Sequence, residues 1–232
     1  MPNILQQPNH PTPPAAPRVY STTTLAELLQ RLGDISPERV RMDPLPGKAT
    51  IDDLIQVNEQ RLGPICEWIE NTLVEKAMGQ HESWVAFIIA GILYQYMKKH
   101  DLGMFLGPDG VMKILPDIGR APDISFLSWN SLPGGKPPAR SNKVPAVVPD
   151  LAIEVLSESN RPKEMERKRT DYFRAGVKRV WEIDPETRSA KVYRSLNDMT
   201  SIEANGSIDG EEILPGFVLS LREVFDCANR NS

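Results

Sequence analysis

Two carboxylates interrupt segments that are otherwise apolar. Glu154 lies in Pro149-Asp150-Leu151-Ala152-Ile153-Glu154-Val155-Leu156, and Asp123 in Ala121-Pro122-Asp123-Ile124-Ser125-Phe126-Leu127. In an extended chain Leu151, Ile153 and Val155 point to one side and Ala152, Glu154 and Leu156 to the other. Both sides are apolar, the pattern of a central strand covered on both faces, so Glu154 is expected on a buried face. An ionised carboxylate there is costly unless a cation or hydrogen bonds compensate it. A structural ion pair, or a glutamate at a strand end, is the plain alternative. Pro-Asp by itself is a common turn dipeptide, and Asp123 gains weight only from a second carboxylate on a neighbouring strand. Together two such groups can hold a hard divalent cation, usually Mg²⁺, which keeps several waters and engages phosphate oxygens. Such an ion polarises a scissile phosphate and lowers the pKa of an attacking water. A lysine beside that water would stabilise developing charge. The helix expected at 163–175 offers Lys168 and Arg169, which periodicity does not separate.

The elements that must position these groups follow from local pattern. Leu25, Leu28, Leu29 and Leu32 have helical spacing between the Thr22-Thr23-Thr24 start signal and Gly33. Thr50 with Asp53 resembles a capping arrangement for a second helix reaching Val57. Strands are expected at 65–69 and 72–75 around a Glu70-Asn71 turn. A long helix follows from His81 to His100, apolar nearly all round through Trp84, Phe87, Ile88, Leu93 and Tyr94, and is expected inside the fold. Short strands are read near Met104, at 111–114 and at 123–127, then a Pro- and Gly-rich loop over 132–149. A strand at 151–156 leads to a helix that Pro162 can begin and Gly176 can end. A hairpin at 180–183 and 191–193, weaker strands near Ile202, Ile213 and Val218, and a last helix at 221–227 complete a mixed α/β order. Three parts are expected: a disordered Pro-rich tail over 1–18, a helical segment over 19–62 and one larger domain over 63–232.

Composition is that of an ordinary globular protein, with 232 residues, 40% hydrophobic and 25% charged. Cys66 and Cys227 are the only cysteines, which implies no disulfide framework and fits a reducing cytosol. The start MPNILQQPNH has neither a basic n-region nor an apolar h-region, and the most apolar run, 84–97, is too short to span a bilayer. A cytoplasmic protein without membrane contact is expected. Net charge is −4, yet eight basic residues stand against three acidic ones between Arg161 and Arg179, and Lys136, Arg140 and Lys143 lie in the loop before them. Such a strip can steer a polyanion, although a solvated helix face is the simpler reading.

Several of these segments together resemble one family. The block from Pro149 through Val155-Leu156-Ser157-Glu158-Ser159, then Lys168-Arg169-Thr170-Asp171-Tyr172-Phe173-Arg174-Ala175-Gly176-Val177, then Val180-Trp181-Glu182-Ile183-Asp184-Pro185, is similar to the Uma family of restriction-endonuclease-like proteins. That family is a bacterial branch of the PD-(D/E)XK nucleases. Upstream, Pro122-Asp123-Ile124 matches its metal-site aspartate and Ile65-Cys66-Glu67-Trp68-Ile69 its early glutamate strand. The resemblance covers roughly residues 50–220 and implies an α+β, restriction-endonuclease-like core with a mixed sheet flanked by helices. It implies Asp123, Glu154 and the backbone carbonyl of Val155 as metal ligands for Mg²⁺ or Mn²⁺, Lys168 as the catalytic lysine and Glu67 as an accessory carboxylate. Two positions depart from the pattern. Leu156 stands where the E-x-K form has lysine, and Glu182 where an apolar residue is usual. His81 near the start of the long helix can meet phosphate or serve the helix start, and His100 reads as a solvated helix end.

The function expected is divalent-metal-dependent endonucleolytic hydrolysis of DNA, carried out by a homodimer whose two sites address two strands. The alternative is a catalytically inactive nuclease-fold module that binds DNA or a protein partner, for which the acidic total charge and the missing lysine at 156 speak. Action on RNA is a further possibility.

Overall fold

A computed structural model describes residues 24–61, 63–77 and 79–229. The expected tail over 1–18 lies outside the described residues. Helix α1 (Leu25–Arg31) begins at Thr24, whose hydroxyl accepts from Glu27 N while the Glu27 carboxylate accepts from Thr24 N, a reciprocal cap contributing about 1 kcal/mol. Gly33 follows it with φ 99°, where a Cβ would also stand 2.6 Å from the Glu164 backbone, so glycine is required on two counts. Helix α2 (Ile51–Gln60) starts with the same kind of box at Thr50 and Asp53.

Strands β1 (Cys66–Ile69) and β2 (Thr72–Glu75) form a hairpin whose turn residues Glu70 and Asn71 both have positive φ, as a two-residue turn demands. With β4 (Met112–Leu115) and β5 (Ile118–Arg120) they build a four-stranded antiparallel sheet ordered β2-β1-β5-β4. Leu54 of α2 packs with Cys66, Trp68 and Leu73, and Leu28 and Leu32 of α1 pack with Ile69 and Val74.

The larger sheet has six strands. Its other members are β3 (Gly103–Leu106), β6 (Ile124–Ser128), β7 (Leu151–Val155), β8 (Arg179–Asp184), β9 (Ser189–Ser195) and β10 (Asp198–Ile202), ordered β10-β9-β8-β7-β6-β3. Helix α4 (Pro162–Ala175) connects β7 to β8, the one parallel pair, and every other pairing is antiparallel. Pro162 occupies the first helical turn and Gly176, φ 102°, ends the helix, as the sequence predicts. Leu151, Ile153 and Val155 pack under α3 (Gln80–Met97) and α5 (Leu221–Ala228), while Ala152 on the opposite face joins Tyr172 of α4 and Met112, Ile114 and Ile118 of the small sheet. Strand β7 is thus central and buried on both faces, with Glu154 on the side of α4 and the small sheet. A separate pair, β11 (Ser207–Asp209) with β12 (Val218–Ser220), packs beside α5; Ile213, expected near a strand, lies buried in the turn between them.

Helix α3 departs from expectation. Only Val85, Ala86, Ile89 and Leu93 are buried; Trp84, Phe87 and Tyr94 are 45%, 69% and 64% exposed. The helix lies on one face of the six-stranded sheet, so a sequence apolar all round supplies one buried stripe and one outward apolar stripe. Among the described helices none is long and apolar enough to cross a membrane.

Candidate active site

The chain passes from the small sheet to the large one through Ala121, Pro122 and Asp123, between β5 and β6. That short passage brings carboxylates of both sheets together. Asp123 Oδ2 accepts from the Val155 N–H at 2.7 Å, which fastens it to the end of β7 beside Glu154. Its other oxygen, Oδ1, stands 2.7 Å from the Lys76 ammonium, which follows β2. Glu154 Oε2 accepts from Lys168 Nζ at 3.0 Å and Oε1 from the Tyr172 hydroxyl at 2.5 Å. Lys168 and Tyr172 are four residues apart on α4, so the helical period puts both over the same carboxylate.

Glu67 completes the arrangement from β1. Its Oε2 accepts from Arg120 at 2.6 Å and its Oε1 from Ala121 N at 3.0 Å, and Lys168 Nζ is 3.9 Å away. Strand β1 lies between β2 and β5, so Glu67 sits on an interior strand and is fully buried. Arg120 reaches across to Asp171 of α4 at 2.6 Å, and Arg167 takes the other Asp171 oxygen at 3.0 Å. Carboxylates and cations therefore alternate through the layer between the sheets.

The electrostatics follow from burial and neighbours. Burial pushes the Glu67 carboxyl up, but Lys168 and Arg120 outweigh it and hold the group down at about 2. For Glu154 burial wins: the carboxyl is raised, with Lys168 opposing the rise and Asp123 adding to it. Burial alone would weaken the hold of Lys168 on its proton, yet Glu154 and Glu67 reverse that and keep it protonated more firmly than an ordinary lysine. Tyr172 is held neutral by burial and by the Glu154 charge, so it donates its hydroxyl proton.

The structure thus brings together all four side chains singled out in the sequence, Glu67, Asp123, Glu154 and Lys168. Val155 takes part through its N–H. Arg169, left open beside Lys168, points elsewhere: it pairs with Glu182 at 2.6 Å and stacks over Tyr193. His81 is exposed near the start of α3, and His100 is exposed and stacks on Tyr96. Sequence reasoning missed Lys76, Arg120, Asp171 and Tyr172 as members of the network. The basic strip also differs from expectation, because Lys163, Arg167, Lys168, Arg169, Lys178 and Arg179 each pair with a carboxylate. Among the described residues of that strip, Arg161 and Arg174 alone lack an ion-pair partner.

Hard carboxylate oxygens are the donors that Mg²⁺ or Mn²⁺ takes. Among the described residues no three His, Cys, Asp or Glu side chains are grouped as a ligand shell by themselves. Mg²⁺ commonly needs only one or two carboxylates, with water and phosphate supplying the rest. Asp123 Oδ1, buried and without a hydrogen bond, is a donor in that sense, so the residues fit the ion. A cleft of about 560 Å³, lined by Leu156, Arg161, Met165, Arg169 and Lys191 among others, lies past the end of β7 and is itself lined by none of the network side chains. A cavity of about 640 Å³ between α2 and Lys143 contains none of the network residues.

The six-stranded mixed sheet with its carboxylate strands defines a nuclease-like α+β fold. A crystal structure from Anabaena variabilis ATCC 29413, described as a "putative nuclease belonging to DUF820", superposes with a TM-score of 0.61 over 71% of this chain and 92% of that one, at 20% identity. The sequence model of the Uma2 family, described as "Putative restriction endonuclease", matches residues 51–222, and the chain belongs to that family. No curated protein matches the chain.

Proposed function

We propose that the protein is a cytoplasmic endonuclease that hydrolyses DNA phosphodiester bonds with Mg²⁺ or Mn²⁺. The observation that supports this reading is the junction at the end of β7, where Asp123 is bound to Val155 N–H and the adjacent Glu154 to Lys168. Asp123, Glu154 and the Val155 carbonyl would hold the ion. A bound divalent cation supplies polarisation of the scissile phosphate and activation of water. Lys168, kept charged by its two glutamates, stabilises negative charge as it develops on the phosphate oxygens. Glu67 and Arg120 orient Lys168 from the small sheet. Arg161 and the cleft beside Leu156 supply backbone-phosphate contacts, which position the substrate without reading sequence.

Plasmid DNA incubated with Mg²⁺ or Mn²⁺ tests the reading. Wild type cuts, whereas Glu154→Ala and Lys168→Ala do not; two folded variants that cut as well as wild type would refute it. Parallel digestion of single-stranded RNA assigns the substrate class.

A second reading is a nuclease-fold module without catalysis, binding DNA or a protein partner. Closure of the network favours it: the side chains of Glu67, Asp123 and Glu154 are 4% exposed or less, and each faces a cation within the protein. Calorimetry with Mg²⁺ and Mn²⁺ separates the two, since a folded protein that takes up neither ion belongs to the second class. Under the first reading the working unit is a homodimer.

A further inference from the structure

Lys76 is a cation of the network that the proposed reaction does not use. Its backbone N–H donates to Ile65 O, which extends the β1–β2 hairpin by one register step. Register pairs Glu67 with Val74, so Lys76, two residues on, shares the strand face of Glu67. The ammonium is buried 2.7 Å from Asp123 Oδ1, yet neither Lys76 Nζ nor Asp123 Oδ1 makes a hydrogen bond. The two groups meet off the line that a donated proton needs, so charge attraction alone holds them.

The six carboxylate oxygens of Glu67, Asp123 and Glu154 single out this spot. Glu67 accepts from Arg120 and Ala121 N, Glu154 from Lys168 and Tyr172, and Asp123 Oδ2 from Val155 N. Asp123 Oδ1 is the remaining one. The Lys76 charge also acts beyond Asp123, since it helps lower Glu67 and opposes the rise at Glu154. One positive charge thus serves three carboxylates without a directional bond to any. That is the service a hard metal ion gives to oxygen donors.

We propose that Lys76 is a resident counter-cation at the metal position: its ammonium neutralises Asp123 in the metal-free protein, and a divalent ion binds by displacing it. The inference rests on the metal-dependent reading above. Lys76 then keeps the acidic cluster folded without metal and weakens metal uptake, so that loading takes place at higher ion concentration than two bare carboxylates would need.

Full-length wild type, Lys76→Met and Asp123→Asn are titrated with Mn²⁺ by calorimetry. Lys76→Met binds at least about tenfold more tightly than wild type, and Asp123→Asn more weakly. Equal or weaker binding by folded Lys76→Met, with wild-type binding intact, overturns the displacement and leaves the nuclease reading standing. Failure of both wild type and Lys76→Met to bind removes the two together. Should methionine at 76 prevent folding, wild type answers in its place through reductive methylation of Lys76 followed by mass spectrometry. The amine is shielded in EDTA and reacts at least about tenfold faster in saturating Mn²⁺; an unchanged rate in metal-loaded protein overturns the proposal.

Discussion

The Lys168 ammonium stands 3.0 Å from Glu154 Oε2 and 3.9 Å from Glu67 Oε1, so one cation borne by α4 joins a carboxylate of the six-stranded sheet to one of the four-stranded sheet. The helix is therefore a fastener between layers as well as the carrier of a reactive group. Activity and stability are entangled at this residue, and experiments on either must separate them.

A double-mutant cycle makes that separation. Removing one member of a buried pair leaves an uncompensated charge, at a cost of about 3–5 kcal/mol, whereas removing both leaves none. Lys168→Met and Glu154→Gln should each lower urea stability, and the double variant should lose less than the two losses added together. Strict additivity would mean that the pair does not interact.

Tyr172 gives a subtler test. Its hydroxyl donates to Glu154 Oε1 with no solvent nearby to replace it. Tyr172→Phe keeps the ring in place and removes only that donor, at about 1–3 kcal/mol. Denaturant melts of the variant measure the loss, and Mn²⁺ calorimetry reports whether a less tethered Glu154 changes metal uptake. No change in either would remove Tyr172 from the network.

Acid should weaken the protein through Glu67. Its carboxyl, ordinarily near 4.5, is held at about 2 in the fold. A depressed carboxyl stabilises the folded state above its unfolded value, and that contribution disappears as pH falls from about 4.5 towards 2. The shift corresponds to a stability loss on the order of 3 kcal/mol. Glu164, lowered by Arg39 against its burial, adds loss of the same sign. Glu154 has the opposite sign, because a raised carboxyl is relieved by protonation. Glu67→Gln should therefore show a flatter decline of urea stability between pH 5 and 2 (about that window) than wild type. Parallel declines would show that Glu67 does not carry the acid sensitivity.

The outward stripe of α3 is the surface on which the proposed homodimer can be tested. Trp84 and Phe87 stack at 5.9 Å, Tyr94 continues the stripe, and Gly91 leaves open space between them. Antiparallel pairing of this helix with a second copy would bring Phe87 opposite Tyr94 and Glu82 opposite the Lys98-Lys99 end. Phe87→Glu should give a monomer mass by light scattering while the melting temperature stays near that of wild type. A wild-type mass that is monomeric at every concentration would rule the dimer out.

Much of the fold was legible because its strongest signals are local. Strand β7 reads as central from five residues apolar on both sides, and α4 from the proline and glycine at its ends. Two adjacent helical residues, Lys168 and Arg169, lie only about 100° apart, so periodicity could not choose which one reaches Glu154. Position on α4 relative to Tyr193 and Glu182 decides it, and that is tertiary information. Lys76 and Arg120 were hidden for a related reason. Lys76 meets Asp123, and Arg120 meets Glu67, only once the order β2-β1-β5-β4 is set, and β5 has three residues with Gly119 at its centre, too short to read as a strand. Helix α3 misled in the opposite direction, since apolar residues on all sides describe composition and do not say how many layers cover the helix. The basic run at 161–179 likewise looked free only because its acidic partners, from Asp34 to Glu212, are scattered along the chain.

The passage from Arg120 to Asp123 fixes how far apart the two sheets can stand. Arg120 is locked to Glu67 and Asp171, and Asp123 to Val155, with two residues between them. There is no slack to absorb an inserted residue, so length variation among relatives should be confined elsewhere, above all to the turn-rich stretch 132–149. In evolutionary terms this hinge-free joint makes the spacing of the acids a property of chain length as much as of chemistry.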